Sequence, residues 1–172
     1  HKEYRRQRQM CIRDRYYLTF KAAELNHDAK VILAGRKLND NFANLCSKEI
    51  EEKFINLYGD LASILFLGCS FKENVSDVRN SKVFDMIQYF KDKKIEVDCY
   101  DPVVNPKNVY DEYSITTLED IPNKSYDIVI LSVPHEAFIE MGLIKIKSLC
   151  KENSLLVDLK GIFQSNDVDF QL

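Results

Sequence analysis

The 172-residue chain has no tryptophan, only five glycines and only four prolines. So few chain breakers leave little room for a flexible linker, and no repeat or low-complexity segment is present. The five cysteines, Cys11, Cys46, Cys69, Cys99 and Cys150, are scattered and odd in number, and no two form a CxxC pair. That spacing indicates neither a zinc site nor a disulfide framework, and no other metal-ligand cluster can be read. Long apolar runs are missing as well. The longest, such as Ile64–Leu67 and Ile128–Leu131, are strand-length, whereas a membrane span takes roughly 20 apolar residues. The N-terminus is charged, with no apolar segment behind it. No secretory signal is read there, and a cytoplasmic protein with reduced thiols is expected.

The charge is close to balanced, with 24 Lys/Arg against 27 Asp/Glu and a net −3, but it is unevenly spread. Lys2, Arg5, Arg6, Arg8, Arg13 and Arg15 meet only Glu3 and Asp14 in the first fifteen residues. A basic arm on an acidic body would suggest nucleic acid. The string from Arg5 to Arg15, however, is residue for residue the translation of a transposase-type sequencing adapter. Residues 1–15 are therefore expected to be an assembly scar, no nucleic-acid partner is inferred, and the true sequence ahead of Tyr16 is expected to be missing.

The remainder reads as helices followed by an α/β pattern. Residues 16–37 predict two short helices, broken at Asn26-His27-Asp28 and ending near Gly35. Asn39 or Asp40 is placed to cap a longer helix whose stripe is Phe42, Leu45, Cys46, Ile50, Phe54 and Leu57, ending by Gly59. From Leu61 onward short apolar runs alternate with helical patterns. Strands are predicted at Ser63–Leu67, Ile95–Tyr100, Ile115–Leu118, Tyr126–Val133 and Leu155–Leu159. Between them fall a helix near Val83–Phe90, capped by Ser81, and one from about Pro134 to Cys150. Strands separated by crossover helices imply a Rossmann-like, doubly wound parallel sheet.

In such sheets ligands bind beyond the carboxyl ends of the strands. The segment after the first strand, Gly68 to Ser81, lacks the GxGxxG turn, so ordinary dinucleotide binding is excluded. It is long and polar, with Lys72 and Arg79 ahead of a helix start, and both side chains suit phosphate or carboxylate oxygens. Two readings stand for this loop: an anion site, or a solvated loop whose Arg79 pairs with Asp77 or Asp101. Asp101, before Pro102, reads as a turn former or a ribose-binding acid. His135, after Pro134, reads as a capping or surface residue or a general base. Cys69 reads as a small buried residue and His27 as exposed.

Several separate motifs occur in a telling order: Tyr16-Tyr17-Leu18-Thr19-Phe20-Lys21-Ala22, Val31 to Asn41, Gly68 to Asn74, Asp77 to Ser81, Val97 to Pro102, and Asp158 to Gly161. Together they resemble the central and C-terminal domains of the UDP-glucose/GDP-mannose dehydrogenase family, with wording nearest the branch acting on UDP-N-acetylhexosamines. The resemblance covers the chain from Tyr16 onward. It implies that residues 16–59 end a central helical, dimer-forming domain and that 60–172 are the C-terminal UDP-sugar-binding domain. The family oxidises C6 of a UDP-sugar to the carboxylate with NAD through a cysteine thioester, for surface polysaccharide synthesis. By position, Lys72 would contact substrate near the reacting sugar, Phe71 would pack beside it, and Arg79 would reach the NAD. The NAD domain and the family's Gly-Gly-x-Cys segment are absent, and Cys11 is not identified with the nucleophile. The residues Asp169 to Leu172 resemble a family C-terminus. A fragment without turnover of its own is expected, from a parent that is a homodimer. The alternative is a stand-alone UDP-sugar-binding module without catalysis.

Overall fold

The structure, a computed structural model, describes residue 17 and residues 19–171; the adapter reading of residues 1–15 falls outside the described residues. By internal contacts the chain forms two compact units, dividing after Phe42.

The first unit holds α1, helical over residues 19–24, a break at 25–29, and the first part of α2 (Lys30–Tyr58). The expected end at Gly35 and fresh start at Asn39-Asp40 do not occur, because α2 is continuous across both. One exposed glycine costs a helix about 1 kcal/mol. Breaking the helix there would leave two further sets of backbone groups without partners. Helix α2 ends where expected. Gly59 takes a φ of +92°, and its N–H still bonds to the Ile55 carbonyl at 3.0 Å.

The second unit, from Ala43, is a five-stranded sheet in the order β2-β1-β3-β4-β5: β1 (Ser63–Leu67), β2 (Glu96–Tyr100), β3 (Tyr126–Leu131), β4 (Cys150–Asp158) and β5 (Phe170–Gln171). Every pairing is parallel. The continuous apolar runs of β1 and β3 are buried throughout, as both faces of the sheet require. Ile64, Phe66, Ile128, Ile130, Leu155 and Val157 point to a core shared with Cys46, Ile50 and Phe54 of α2 and with α3 (Val83–Asp92). Leu65, Leu67, Val129, Leu131 and Leu156 point to the other core, closed by Phe138 and Ile146 of α5 (Glu136–Lys147). The buried stripe of α2 is Ala43, Cys46, Ser47, Ile50, Glu51 and Phe54, while Phe42, Leu45 and Leu57 of the predicted stripe are exposed. Buried Glu51 accepts from Tyr89 Oη and Lys93 Nζ, tying α2 to α3.

Other expectations need correction. Residues 115–118 form no strand; Leu118 makes a single bridge to Tyr100, and an unexpected helix, α4 (Pro106–Tyr113), precedes it. Asn105 caps α4 through Lys107 N, with Pro106 at the first turn. Ser81 does not cap α3; its hydroxyl donates to the Ser70 carbonyl instead. Helix α5 is kinked at Gly142, where φ is +76°. Strand β4 starts earlier than expected and bulges: Tyr126 pairs with Cys150, yet Ile128 pairs with Leu155.

The edge where β1 and β3 begin is fastened by one carboxylate. Asp127 accepts from Ser63 N at 2.8 Å and Ser63 Oγ at 3.0 Å on Oδ2, and from Lys151 Nζ at 2.8 Å on Oδ1. Burial alone would raise its pKa, but these donors outweigh it and hold the carboxyl below the ordinary range. Asp127→Ala leaves buried donors unmet and is expected to cost about 2–4 kcal/mol, read as a lower urea midpoint with unchanged slope. An unchanged midpoint would show that the Asp127 network adds nothing to stability.

Candidate functional site

The strand order places a topological switch point between β1 and β3, whose following helices α3 and α5 lie on opposite faces. The region outside their carboxyl ends, where sheets of this order place a crevice, is bounded by the 68–81 loop after β1, Asp101 after β2 and His135 after β3.

Gly68 makes the first turn out of β1. Its φ is +86°, its N–H donates to the Tyr100 carbonyl at 2.8 Å, and a Cβ there would stand 2.7 Å from both Val133 Cβ and the Val133 carbonyl oxygen. The backbones leaving β1 and β3 are thus too close for any side chain between them. The next two amides, Cys69 N and Ser70 N, donate to Asp101 Oδ2 at 2.7 and 3.0 Å, and Val103 N donates to Oδ1 at 3.0 Å. Asp101 forms the expected turn and does more. It is buried and satisfied by donors on both oxygens, so it is not presented to a ribose.

His135 is fully buried, which corrects the surface reading, and it makes no side-chain cap to α5. Its Nδ1 accepts from Asn74 N at 2.9 Å, which assigns the ring proton to Nε2. Nε2 lies 3.1 Å from Asp101 Oδ2 and 3.2 Å from Ser70 Oγ. The Ser70 hydroxyl donates to the Lys72 carbonyl at 2.8 Å. Although serine, histidine and aspartate meet here, this is no nucleophile triad, because Ser70 and Asp101 share one imidazole nitrogen instead of taking opposite ones. Both ring nitrogens are engaged, which leaves no general base. Buried Cys69 is held well above the usual thiol range by the neighbouring Cys99 thiol and by burial, so it is not a reactive thiolate.

Phe71, Lys72 and Arg79, the residues to which the family resemblance assigned contacts, all lie on the exposed part of the loop. Phe71 is half exposed and Lys72 exposed, with Lys72 Nζ 6.0 Å from the Phe71 ring centroid. Among the described residues Lys72 has no ion pair. Arg79 stands on the returning limb, its fork closed on Asp77 with Nε–Oδ1 at 2.9 Å and Nη2–Oδ2 at 2.8 Å. This pairing holds the Asp77 carboxyl below its ordinary value. Of the two partners weighed for Arg79, Asp77 is the one found. Phe71 N donates to the Asp77 carbonyl at 2.7 Å and closes the loop on itself. Tyr113 Oη fastens the far end, donating to the Val78 carbonyl and accepting from Asn80 N.

At the end of β4, buried Asp158 gathers four amides: Lys160 N and Gly161 N on Oδ1, Ile162 N and Phe163 N on Oδ2. A carboxylate of the protein fills that nest, so it offers no anion site. Among the described residues no group of His, Cys, Asp and Glu could hold a metal ion, and no helix is long and apolar enough to cross a membrane.

The model of the UDP-glucose/GDP-mannose dehydrogenase family, UDP binding domain, matches residues 65–165, spanning the whole crevice. The chain belongs to this family. UDP-N-acetyl-D-glucosamine 6-dehydrogenase of Salmonella typhi is 36% identical over 163 residues, covering 92% of this chain and 38% of the relative. Its counterpart from Pseudomonas aeruginosa is 35% identical over 161 residues, with the same coverage. Protein CapL of Staphylococcus aureus is 33% identical over 160 residues, covering 91% of this chain and 37% of CapL. The dehydrogenase-family chain thus spans 38% or less of the length of these relatives. Among solved structures, NDP-N-acetyl-D-galactosaminuronic acid dehydrogenase from Methanosarcina mazei Go1 superposes with a TM-score of 0.73 at 16% identity, covering 88% of this chain and 34% of that one. The UDP-N-acetyl-mannosamine dehydrogenase Cap5O from S. aureus superposes with 0.66 at 21%, covering 90% and 35%. At these identities the structural likeness is one of fold.

Two outcomes are expected for the crevice itself. Gly68→Ala forces a strained φ and a clash with Val133, and is expected to lose roughly 2–5 kcal/mol in urea unfolding. Asp101 is also held below the ordinary carboxylate range: burial opposes this, and the donors His135, Cys69 and Val103 outweigh burial. A depressed folded pKa stabilises above the unfolded value of about 3.9 and is lost as pH falls through the folded one. Acid titration followed by tryptophan-independent signals such as far-UV circular dichroism should therefore show loss of structure beginning below about pH 4. Asp101→Asn should blunt that dependence.

Proposed function

We propose that the crevice between β1 and β3, with Phe71 and Lys72 on its rim, holds the diphosphate end of a UDP-sugar. The chain would be the UDP-binding portion of an NAD-dependent nucleotide-sugar 6-dehydrogenase. The observation carrying this reading is an exposed lysine with no ion pair among the described residues, on a hydrogen-bonded loop at the switch point, inside the segment that matches the UDP binding domain. A lysine ammonium is a suitable point charge for phosphate oxygens, and the Phe71 ring beside it can pack on the sugar or uracil. The names of the Salmonella typhi and Pseudomonas aeruginosa relatives support a UDP-N-acetylhexosamine as the sugar, and the family resemblance adds its oxidation to the uronate for surface polysaccharide synthesis.

The described residues do not form an NAD site. The turn after β1 has no GxGxxG, and the Asp101 carboxylate occupies the amides that might otherwise face a pyrophosphate. NAD use is proposed for the parent protein only. Arg79 would reach such a cofactor by giving up Asp77. No thiol among the described residues is placed as a nucleophile, so this chain alone is proposed to bind without turning substrate over. A homodimer of the parent through its helical domain is supported by the exposed apolar side chains of the first unit, Leu25, Val31 and Leu38 among them. A cytoplasmic site of action is proposed with it.

Titration calorimetry of the 172-residue chain with UDP and UDP-N-acetylglucosamine tests the site. Lys72→Ala is expected to weaken binding by about tenfold, near 1.4 kcal/mol, and exposed Lys94→Ala to leave it unchanged. Equal effects from the two would remove Lys72 from the site. No NADH should form from a UDP-sugar and NAD with this chain alone. Turnover would overturn the binding-portion reading.

A further inference from the structure

We propose that His135 is a positioning residue: one buried imidazole carries both feet of the arch that presents Phe71 and Lys72. This rests on the crevice being the UDP site. The first foot is Ser70, whose Oγ lies 3.2 Å from His135 Nε2 and whose hydroxyl passes the contact on to the Lys72 carbonyl at 2.8 Å. The second foot is Asn74, whose N–H meets His135 Nδ1 at 2.9 Å. Between the feet stand only Phe71, Lys72 and Glu73, all exposed. Asn74 can turn its amide inward because it takes a left-handed φ of +57°, and its side chain accepts from Glu136 N at 3.0 Å, locking the arch to the start of α5.

The hydrogen bonds are directional and mutually consistent. An N–H donor at Asn74 requires a bare Nδ1. The proton must then sit on Nε2, where Asp101 Oδ2 and Ser70 Oγ receive it. Asp101 Oδ2 in turn holds Cys69 N and Ser70 N. No rotation of the ring satisfies both feet in any other way, and packing against Phe138, 5.7 Å between ring centroids, confines it further. The exposed rim therefore inherits its shape from a side chain that itself touches no solvent. A binding group held by an arch tied down at both feet loses less freedom when a ligand arrives than one on a loose loop.

The test measures hydrogen exchange at the Asn74 amide together with UDP titration in the 172-residue chain. His135→Ala is expected to speed Asn74 exchange and to weaken UDP binding, each by about tenfold or more. His135→Asn keeps an acceptor near the position of Nδ1. It should restore Asn74 protection and most of the affinity, a rescue that mere loss of packing would not produce. The proposal is overturned if His135→Ala keeps either wild-type protection at Asn74 or wild-type affinity. Should His135→Ala fail to fold, Ser70→Ala decides: it removes the bridge to Lys72 and should weaken UDP binding, and an unchanged affinity rejects the clamp. If the wild-type chain binds no UDP, the site reading fails on its own, and Asn74 exchange alone decides whether His135 holds the arch.

Discussion

The carboxylate of Asp101 is the constraint on which the crevice depends. Where β1 ends, its last amides lose their ladder partners, and in a parallel sheet the neighbouring strand cannot turn back to supply new ones. Asp101, leaving the adjacent strand, collects two of those amides, an amide of its own turn, and the imidazole from beyond β3. Three strand ends are thereby tied to one side chain. The close approach of Gly68 to Val133 is the steric counterpart of the same tie. The exposed loop can be polar and long because its root needs nothing from solvent.

How far the sequence discloses this fold depends on the kind of signal. The apolar runs of β1 and β3 fall where composition puts them, since burial on both faces demands uninterrupted Ile, Leu, Val and Phe. The α2 stripe is half right: Cys46, Ile50 and Phe54 face the core, but Phe42, Leu45 and Leu57 do not, because apolar identity alone does not say which side of a helix the sheet lies on. Helix α4 escapes notice because Val109 is its one buried residue, too little for periodicity. Gly35 and Asn39-Asp40 look like punctuation and are not, since a long helix outweighs weak local breakers. Ser81 resembles a cap, yet a tertiary partner, the Ser70 carbonyl, claims its hydroxyl.

The exposed parts of the candidate site stand out in the sequence, and its buried parts do not. Phe71, Lys72 and Arg79 stand out in one polar stretch after one strand, and the choice between Asp77 and Asp101 as Arg79's partner was open until the geometry settled on Asp77. The burial of His135 escapes a sequence reading because a lone histidine after a proline carries no local sign of it. The sign was topological: in a 2-1-3 strand order, whatever follows β3 must face whatever follows β1. Residues far apart in sequence, such as Ser70, Asp101 and His135, become a group only once that order is known.

Strand β5 is two residues long, and it pairs Val157 with Phe170 and Asp158 with Gln171 along the outer side of β4. Asp169 reinforces that cover, its carboxylate accepting from Leu156 N at 2.7 Å. Strip the segment away and β4 becomes a bare edge, with the hydrophobic Leu155–Val157 beside open backbone groups, the template on which chains add to one another. Residues 169–171 thus act as a seam closure. Their contribution would be felt less in how tightly the fold holds together than in whether separate molecules stay apart.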